Sequence, residues 1–236
     1  QSHAGPAAAR NTGIVAARGR LLAFTDDDCL PDPGWLRALI DAHAAHPDAL
    51  LGGHTLNALP DNVYSAASQL LIEAVYAYYN VDPLHARFFA SNNIAAPAEA
   101  LRALGGFDAD RFPMASEDRD LCARWLESGR GMLYVPAAAV RHAHPLTLAS
   151  FFRQHLAYGR GAWRFRQALA GRDAHPPAMQ SVRFFQHLAR YPWQHDRGTA
   201  ALRMTLLIAV SQLASALGLA MQALQHARCA RAPLLV

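Results

Sequence analysis

Three adjacent aspartates, Asp26, Asp27 and Asp28, follow the apolar run RLLAFT at residues 20–25 and precede Pro31. Clustered carboxylates repel one another, and a hard divalent cation, which prefers oxygen ligands, relieves that repulsion. The same residues also suit a solvated acidic turn that caps the next helix. Glu117 and Asp118 open a helical pattern, with Asp120 one turn further in. Acidic residues there complement the helix dipole and cap free N–H groups. A helix start is also a place from which a carboxylate can act as a general base. His142 and His144 stand two residues apart after the apolar run 131–135. They read as two loop histidines, or as imidazole supply for a carboxylate metal site. Asn92 and Asn93 interrupt the apolar stretch FFASNNIAA, and Gly105, Gly106, Phe107 and Asp108 form a turn-like group behind it. Gln154 with Tyr158-Gly159-Arg160-Gly161 is the last polar group, with a solvated helix face as its plain reading.

The surrounding pattern predicts how these groups are held. Residues 7–18 favour helix, with Gly19 as a stop. Residues 20–25 read as a buried strand that empties into the aspartates. Ligands of open α/β sheets collect beyond the carboxyl ends of strands, so Asp26–Asp28 stand where a site is expected. Pro33 opens a second helix, residues 49–56 suit a strand and residues 63–80 a helix. Residues 88–96 predict a strand and 97–104 a short helix that stops at Gly105-Gly106. Residues 117–128 form an amphipathic helix closed by Gly129, and 131–135 a last strand before Pro136. Strands alternating with helices argue for a layered α/β domain. From residue 147 the pattern is helical only. Residues 147–170 form a basic, aromatic stretch broken by Gly159 and Gly161, residues 171–178 are the candidate boundary, and residues 204–224 carry no charge.

A chain of 236 residues suits one substantial domain plus an appendage. All 22 basic residues are arginine, and the net charge is +4. The arginines are scattered and no nucleic-acid motif accompanies them, so no nucleic-acid partner is read. A mild affinity for anionic phosphates or lipid headgroups fits this balance. Cys29, Cys122 and Cys229 are odd in number and widely spaced, which argues against a disulfide framework or a zinc site. The start, Gln1-Ser-His-Ala-Gly-Pro, has no initiator Met and no apolar signal core, and reads as a cut inside a domain.

The segments ARNTGIVAARGRLLAFTDDDCLPDPGWL, SNNIAAPAEALRALGGFDADRF, SEDRDLCARWLESGRGMLYVPAAAVRHAH and QHLAYGRG, in this order, resemble a family 2 glycosyltransferase. The resemblance covers residues 5–161, and the tails of such enzymes often resemble residues 195–225. It implies an α/β fold: an incomplete Rossmann-like glycosyltransferase A-type domain at 1–170, with a helical C-terminal extension at 171–236. Asp26 and Asp28 match the outer positions of the Asp-x-Asp signature that holds a divalent cation, Mg²⁺ or Mn²⁺, on the donor diphosphate. His142 matches a histidine that often completes that metal site. Arg10, Asn11, Asp26 and Asp27 are implied to lie near the nucleotide-sugar donor. Asp118 matches the catalytic base, with Glu117 beside it. Asn92 and the loop Gly105, Gly106, Phe107 and Asp108 are implied for the acceptor region, the acceptor being a saccharide or a lipid-linked molecule.

The implied reaction is an inverting, metal-dependent transfer of a sugar. Processive synthases of the family carry Gln-x-x-Arg-Trp after the base. Here Gln154 is followed by His155, Leu156, Ala157 and Tyr158, which favours addition of a single sugar. The family also begins with a strand and helix that grip the nucleoside, and nothing before Gly5 supplies them. The missing strands would flank residues 20–25 in a parallel sheet, so a bare edge and weak donor binding are expected. Residues 204–224 imply a peripheral or anchored place on the cytoplasmic side of a membrane. The other readings are an inactive membrane-associated scaffold of the same fold and a metal-dependent nucleotidyltransferase, though the Gly-rich phosphate loop usual in the latter is absent.

Overall fold

The computed structural model describes residues 4–172 and 181–231. The elements in chain order are α1 (Pro6–Ala16), β1 (Leu21–Thr25), β2 (Cys29–Pro31), α2 (Trp35–Ala45), β3 (Leu50–Asn57) and α3 (Val63–Tyr79). There follow β4 (Asn93–Pro97), α4 (Ala98–Ala103), α5 (Glu117–Glu127), β5 (Met132–His142), α6 (Leu148–Ala170), α7 (Val182–His195) and α8 (Gly198–Arg231). The fold is α/β, with a helical C-terminal extension. The sheet runs β1-β4-β3-β5-β2. Strand β1 lies at one edge, as the sequence predicts, but its neighbour β4 is antiparallel to it. Among the described strands only β3 and β5 pair in parallel.

Three local expectations change, each for a physical reason. Pro136 does not end the last strand. Val135 stands opposite Gly53 and Ala139 opposite His54, so the residues between them bulge out of the ladder. A bulge is a place where a sheet tolerates proline, because no ladder N–H is needed there. The strand resumes and carries His142 into register with Cys29 of β2. The strand expected at 88–96 begins only at Asn93. Before it, the buried Asn80 amide donates to the Phe88 carbonyl and accepts from the N–H groups of Arg87 and Phe88, which fixes an irregular loop. Lastly, Gly159 and Gly161 do not break α6, which is continuous.

Those glycines are contact points. A Cβ on Gly159 would lie 1.9 Å from the Ser215 carbonyl oxygen of α8, and one on Gly218 would lie 2.0 Å from the Leu156 carbonyl oxygen of α6. The two helices therefore meet backbone to backbone. Gly159→Ala is expected to destabilise the protein by about 1–3 kcal/mol, because overpacking against backbone exceeds the gain in helix propensity. A lowered midpoint in thermal or urea unfolding checks this.

The boundary expected at 171–178 lies mostly outside the described residues, but α6 reaches Ala170 without interruption. The main core forms between α3, the sheet and α5, around Phe89, Phe107, Leu121 and Trp125. A second cluster, around Leu39 and Leu51, packs α2 on the other face of the sheet.

Candidate active site

Asp28 lies in the turn between β1 and β2, and its carbonyl accepts a hydrogen bond from the Ala143 N–H at 2.8 Å. That bond and the pairing of β2 with β5 bring His142 beside it, with Nε2 3.1 Å from Asp28 Oδ2. The His142 and His144 rings are 4.8 Å apart. One ligand atom from each of Asp28, His142 and His144 lies within 4.8 Å of the others. Burial, and then the neighbouring His142, lower the His144 pKa and favour the neutral imidazole that a metal requires. One carboxylate and two imidazoles form a donor set that could hold a divalent cation.

Arg10, on α1, ties the end of β1 to the start of α5. Its guanidinium reaches Asp26 Oδ1 at 2.6 Å and Glu117 Oε1 at 3.0 Å. Asp118, next along, is left facing the cleft, and its Oδ1 accepts only from the Arg119 N–H among the described contacts. Burial raises the Asp118 pKa. Burial and the charge of Asp118 push Glu117 up to about 7.

The residue before them, Ser116, has φ 75° and is the one non-glycine residue with positive φ among those described. Such a conformation costs on the order of 1–3 kcal/mol and persists where packing enforces it. The enforcing contact is α6. A Cβ on Gly161 would lie 2.5 Å from Ser116 Oγ and 2.7 Å from the Ala115 carbonyl oxygen. The bare backbone at Gly161 thus lets α6 press on the turn that aims Glu117 and Asp118.

Two adjoining cavities open onto these groups. The outer one, about 270 Å³, is lined by Arg10, Asp26, Asn92, Glu117, Asp118 and His142 among others. The inner one, about 160 Å³, lies between α3 and α6 and includes Gln154, His155 and Tyr158. Asn92, Arg119, His142 and Tyr158 line both.

The family model described as Glycosyltransferase like family 2 matches residues 1–161. The chain belongs to this family. It is 32% identical over 166 residues to the pre-mycofactocin glycosyltransferase of Mycobacterium tuberculosis, an alignment covering 67% of this chain and 34% of that protein. It is 26% identical over 147 residues to the glucosyl-dolichyl phosphate glucuronosyltransferase of Haloferax volcanii, covering 56% of this chain and 46% of that one. The matched region thus spans a third to under half of these curated relatives. The mannosyltransferase PcManGT from Pyrobaculum calidifontis, solved with GDP-Man and Mn²⁺, aligns at TM-score 0.50 and 18% identity, covering 96% of this chain and 60% of that one. That likeness is one of fold, and it agrees with a glycosyltransferase A-type α/β domain.

In this family 2 chain the expected site residues divide. Arg10, Asn92, Glu117, Asp118 and His142 line the outer cavity, and Asp28, outside that lining, stands 3.1 Å from His142 Nε2. Asp26 lines the cleft as well, but its carboxylate is paired with Arg10, and it is not part of the Asp28–His142–His144 group that could hold a metal. Asp27 is exposed. The Asn11 amide donates to the Phe107 carbonyl at 2.7 Å and accepts from the Phe107 N–H at 2.9 Å, so both of its ends clamp a loop. Gly106 and Phe107 are buried against that clamp, and Phe107 meets Phe24 edge to face. Asp108 caps the following turn through the Arg111 N–H. Gly105, Gly106, Phe107 and Asp108 therefore lie behind the cleft wall and line neither cavity. Asn93 is a buried girder that accepts from Trp35 Nε1 and donates to the His54 and Ala138 carbonyls. Asp120 is held by Arg124 and Arg172, away from the cleft. Arg119 and His155 escaped the sequence reading. A signal lay in their spacing, one residue after Asp118 and one after Gln154, but only the structure shows Arg119 of α5 over the Phe88 ring and His155 of α6 at the inner cavity.

Proposed function

We propose that the chain carries the catalytic site of an inverting transferase that moves one sugar from a nucleotide-sugar donor to an acceptor hydroxyl. The observation that carries this is that His142, a member of the Asp28–His142–His144 group, lines the same cavity as Asp118. A divalent cation at that group, Mg²⁺ or Mn²⁺, supplies Lewis acidity to the departing diphosphate. Asp28, His142 and His144 would hold it. Asp26, paired with Arg10, positions the clamp that reaches Glu117. Asp118 takes the proton of the acceptor hydroxyl, and burial makes its carboxylate a stronger base than a solvated one. One base and one displacement at the anomeric carbon give inversion. The departure from Gln-x-x-Arg-Trp after Gln154 supports a single addition. The test is turnover of a panel of nucleotide sugars with Mn²⁺, with the anomeric configuration of the product read by NMR. A retained configuration, or no turnover by a full-length form with any donor, removes this reading.

The second part of the proposal places the protein on a membrane surface. Among the described residues one helix, Gly198–Arg228, is long and apolar enough to cross a bilayer by length and composition. Its Ala201, Met204, Ile208, Ser211 and Ala214 are buried, whereas Leu202, Leu206, Leu213, Leu217 and Leu224 are exposed along one stripe. A true span would have to give up the tight seam with α6, so α8 lies in the interface plane with its leucine stripe in the acyl boundary. From residue 148 onward the sequence has eleven arginines and two acidic residues, which favours anionic headgroups. Co-sedimentation with phosphatidylglycerol vesicles is expected, and it weakens when Leu206, Leu213 and Leu217 are changed to Gln. Equal recovery in the supernatant with and without vesicles defeats the membrane part alone.

A further inference from the structure

The two adjoining cavities differ in sign. The outer one is lined by Asp26, Glu117 and Asp118. The inner one has no Asp or Glu in its lining. Its polar groups are the guanidinium of Arg119, the imidazoles of His142, His144 and His155, and amide and hydroxyl groups that include Asn57, Gln154 and Tyr158. A neutral sugar offers hydroxyl donors as much as acceptors, and carboxylates commonly receive the donors. A lining with one fixed cation and no carboxylate presents positive potential in a confined space, which focuses an anion.

Two groups here lack hydrogen-bond partners among the described residues. The Arg119 guanidinium lies over the Phe88 ring at 5.8 Å, and no hydrogen bond or ion pair engages it among the described residues. The charge of the neighbouring Asp118 acts on it, but the Asp118 side chain hydrogen-bonds the Arg119 backbone N–H and not the guanidinium. The Nε2 of His155 is buried and has no hydrogen-bond partner. A guanidinium without a hydrogen-bond acceptor and a buried ring nitrogen without a partner are costly, and each calls for an account. A ligand that brings an anionic group to Arg119 and a hydroxyl to His155 satisfies both. The planar guanidinium matches carboxylate and phosphate oxygens in a two-pronged geometry.

We propose that the inner cavity binds an anionic group of the acceptor, a carboxylate or a phosphate, with Arg119 as the residue that selects for it. The inference rests on the transferase reading above, because it assigns the inner cavity to the acceptor. His155 provides a neutral hydrogen bond beside that group, and burial lowers its pKa to about 4 so that it stays uncharged at neutral pH.

The test is ligand-observed NMR on the full chain with Mn²⁺ and no donor, using galacturonate, galactose 6-phosphate and galactose as probes. At least one of the two anions is expected to bind tenfold or more tightly than galactose, and which one does so separates carboxylate from phosphate. Arg119→Gln is expected to lose at least tenfold in affinity for that anion and to leave galactose unchanged. Arg119→Lys, which keeps the charge but not the fork, falls between them. Equal binding of galactose and both anions overturns the proposal, as does unchanged anion affinity in Arg119→Gln. If Arg119→Gln instead weakens GDP and UDP by the same factor as the anion, Arg119 serves the leaving diphosphate, and the acceptor assignment is overturned. Mn²⁺-dependent binding of a nucleoside diphosphate by the parent protein reports separately on the transferase reading. Should Arg119→Gln fail to fold by its melting curve, the comparison of the three probes on the parent protein decides.

Discussion

Asp118→Asn lowers kcat by roughly 10²–10⁴-fold, the usual contribution of a positioned general base. Binding of the nucleotide sugar stays near its parent value, because the amide keeps the shape of the carboxylate and the Arg10 clamp acts on Glu117, not on Asp118. Single-turnover kinetics with a separate donor-binding measurement check both parts. The pH profile gives a second readout. Burial raises the pKa of Asp118, so its charged base form is lost, as pH falls, at a higher pH than for an ordinary carboxylate. The acid limb of kcat/KM is therefore expected well above the ordinary carboxylate range. Near-normal turnover by Asp118→Asn moves the base to Glu117 or elsewhere, a limb near pH 4 excludes both buried carboxylates, and either result leaves helix capping as the role of Asp118.

The second large effect is at the metal group, where sequence and structure differ in what they predict for Asp26. Asp28→Asn or His142→Ala is expected to reduce turnover by roughly 10²–10³-fold, the scale of losing one electrostatic contact to a developing charge. Mn²⁺ affinity, read by electron paramagnetic resonance titration, falls with it. His144→Ala behaves the same way, because its ring stands in the same group. Asp26→Asn keeps Mn²⁺ affinity within a few-fold of the parent value, because its carboxylate is committed to Arg10 at 2.6 Å. Its cost appears in kcat, through a loosened Glu117. An Asp26→Asn variant that loses the metal as completely as Asp28→Asn would restore the Asp-x-Asp assignment in full.

Much of the element order was legible in the residues. Helices α1, α3, α4 and α5 lie within two residues of the periodic segments, because each has an apolar face of helical period and a Gly, Pro or polar stop at its ends. Strands β1 and β3 were legible as short apolar runs between such stops. Strand β2 was not, since three residues carry no period to read. The continuation of β5 past Pro136 was also hidden. A proline normally forbids a ladder bond, and only the partner strand reveals that the ladder skips it. Gly159 and Gly161 were misread as breaks for a related reason. A glycine in a helical run weakens local propensity, and the packing that repays it belongs to residues 115–116 and 215.

The sequence by itself determined the family, the acidic groups at Asp26–Asp28 and Glu117–Asp118, and the late histidines, because residue type and order are local properties. Only the tertiary structure decided which of these groups share a site. The β-bulge and the pairing of β2 with β5 set His142 and His144 beside Asp28. Arg10, more than a hundred residues from Glu117 in sequence, turned Asp26 away from the metal group and into a clamp. Asn11 and Phe107, read as donor and acceptor contacts, became a buried brace, because an aromatic ring between α1 and the sheet gains more from burial than from the cleft. A side chain's direction depends on what is packed behind it, and those neighbours are distant in sequence.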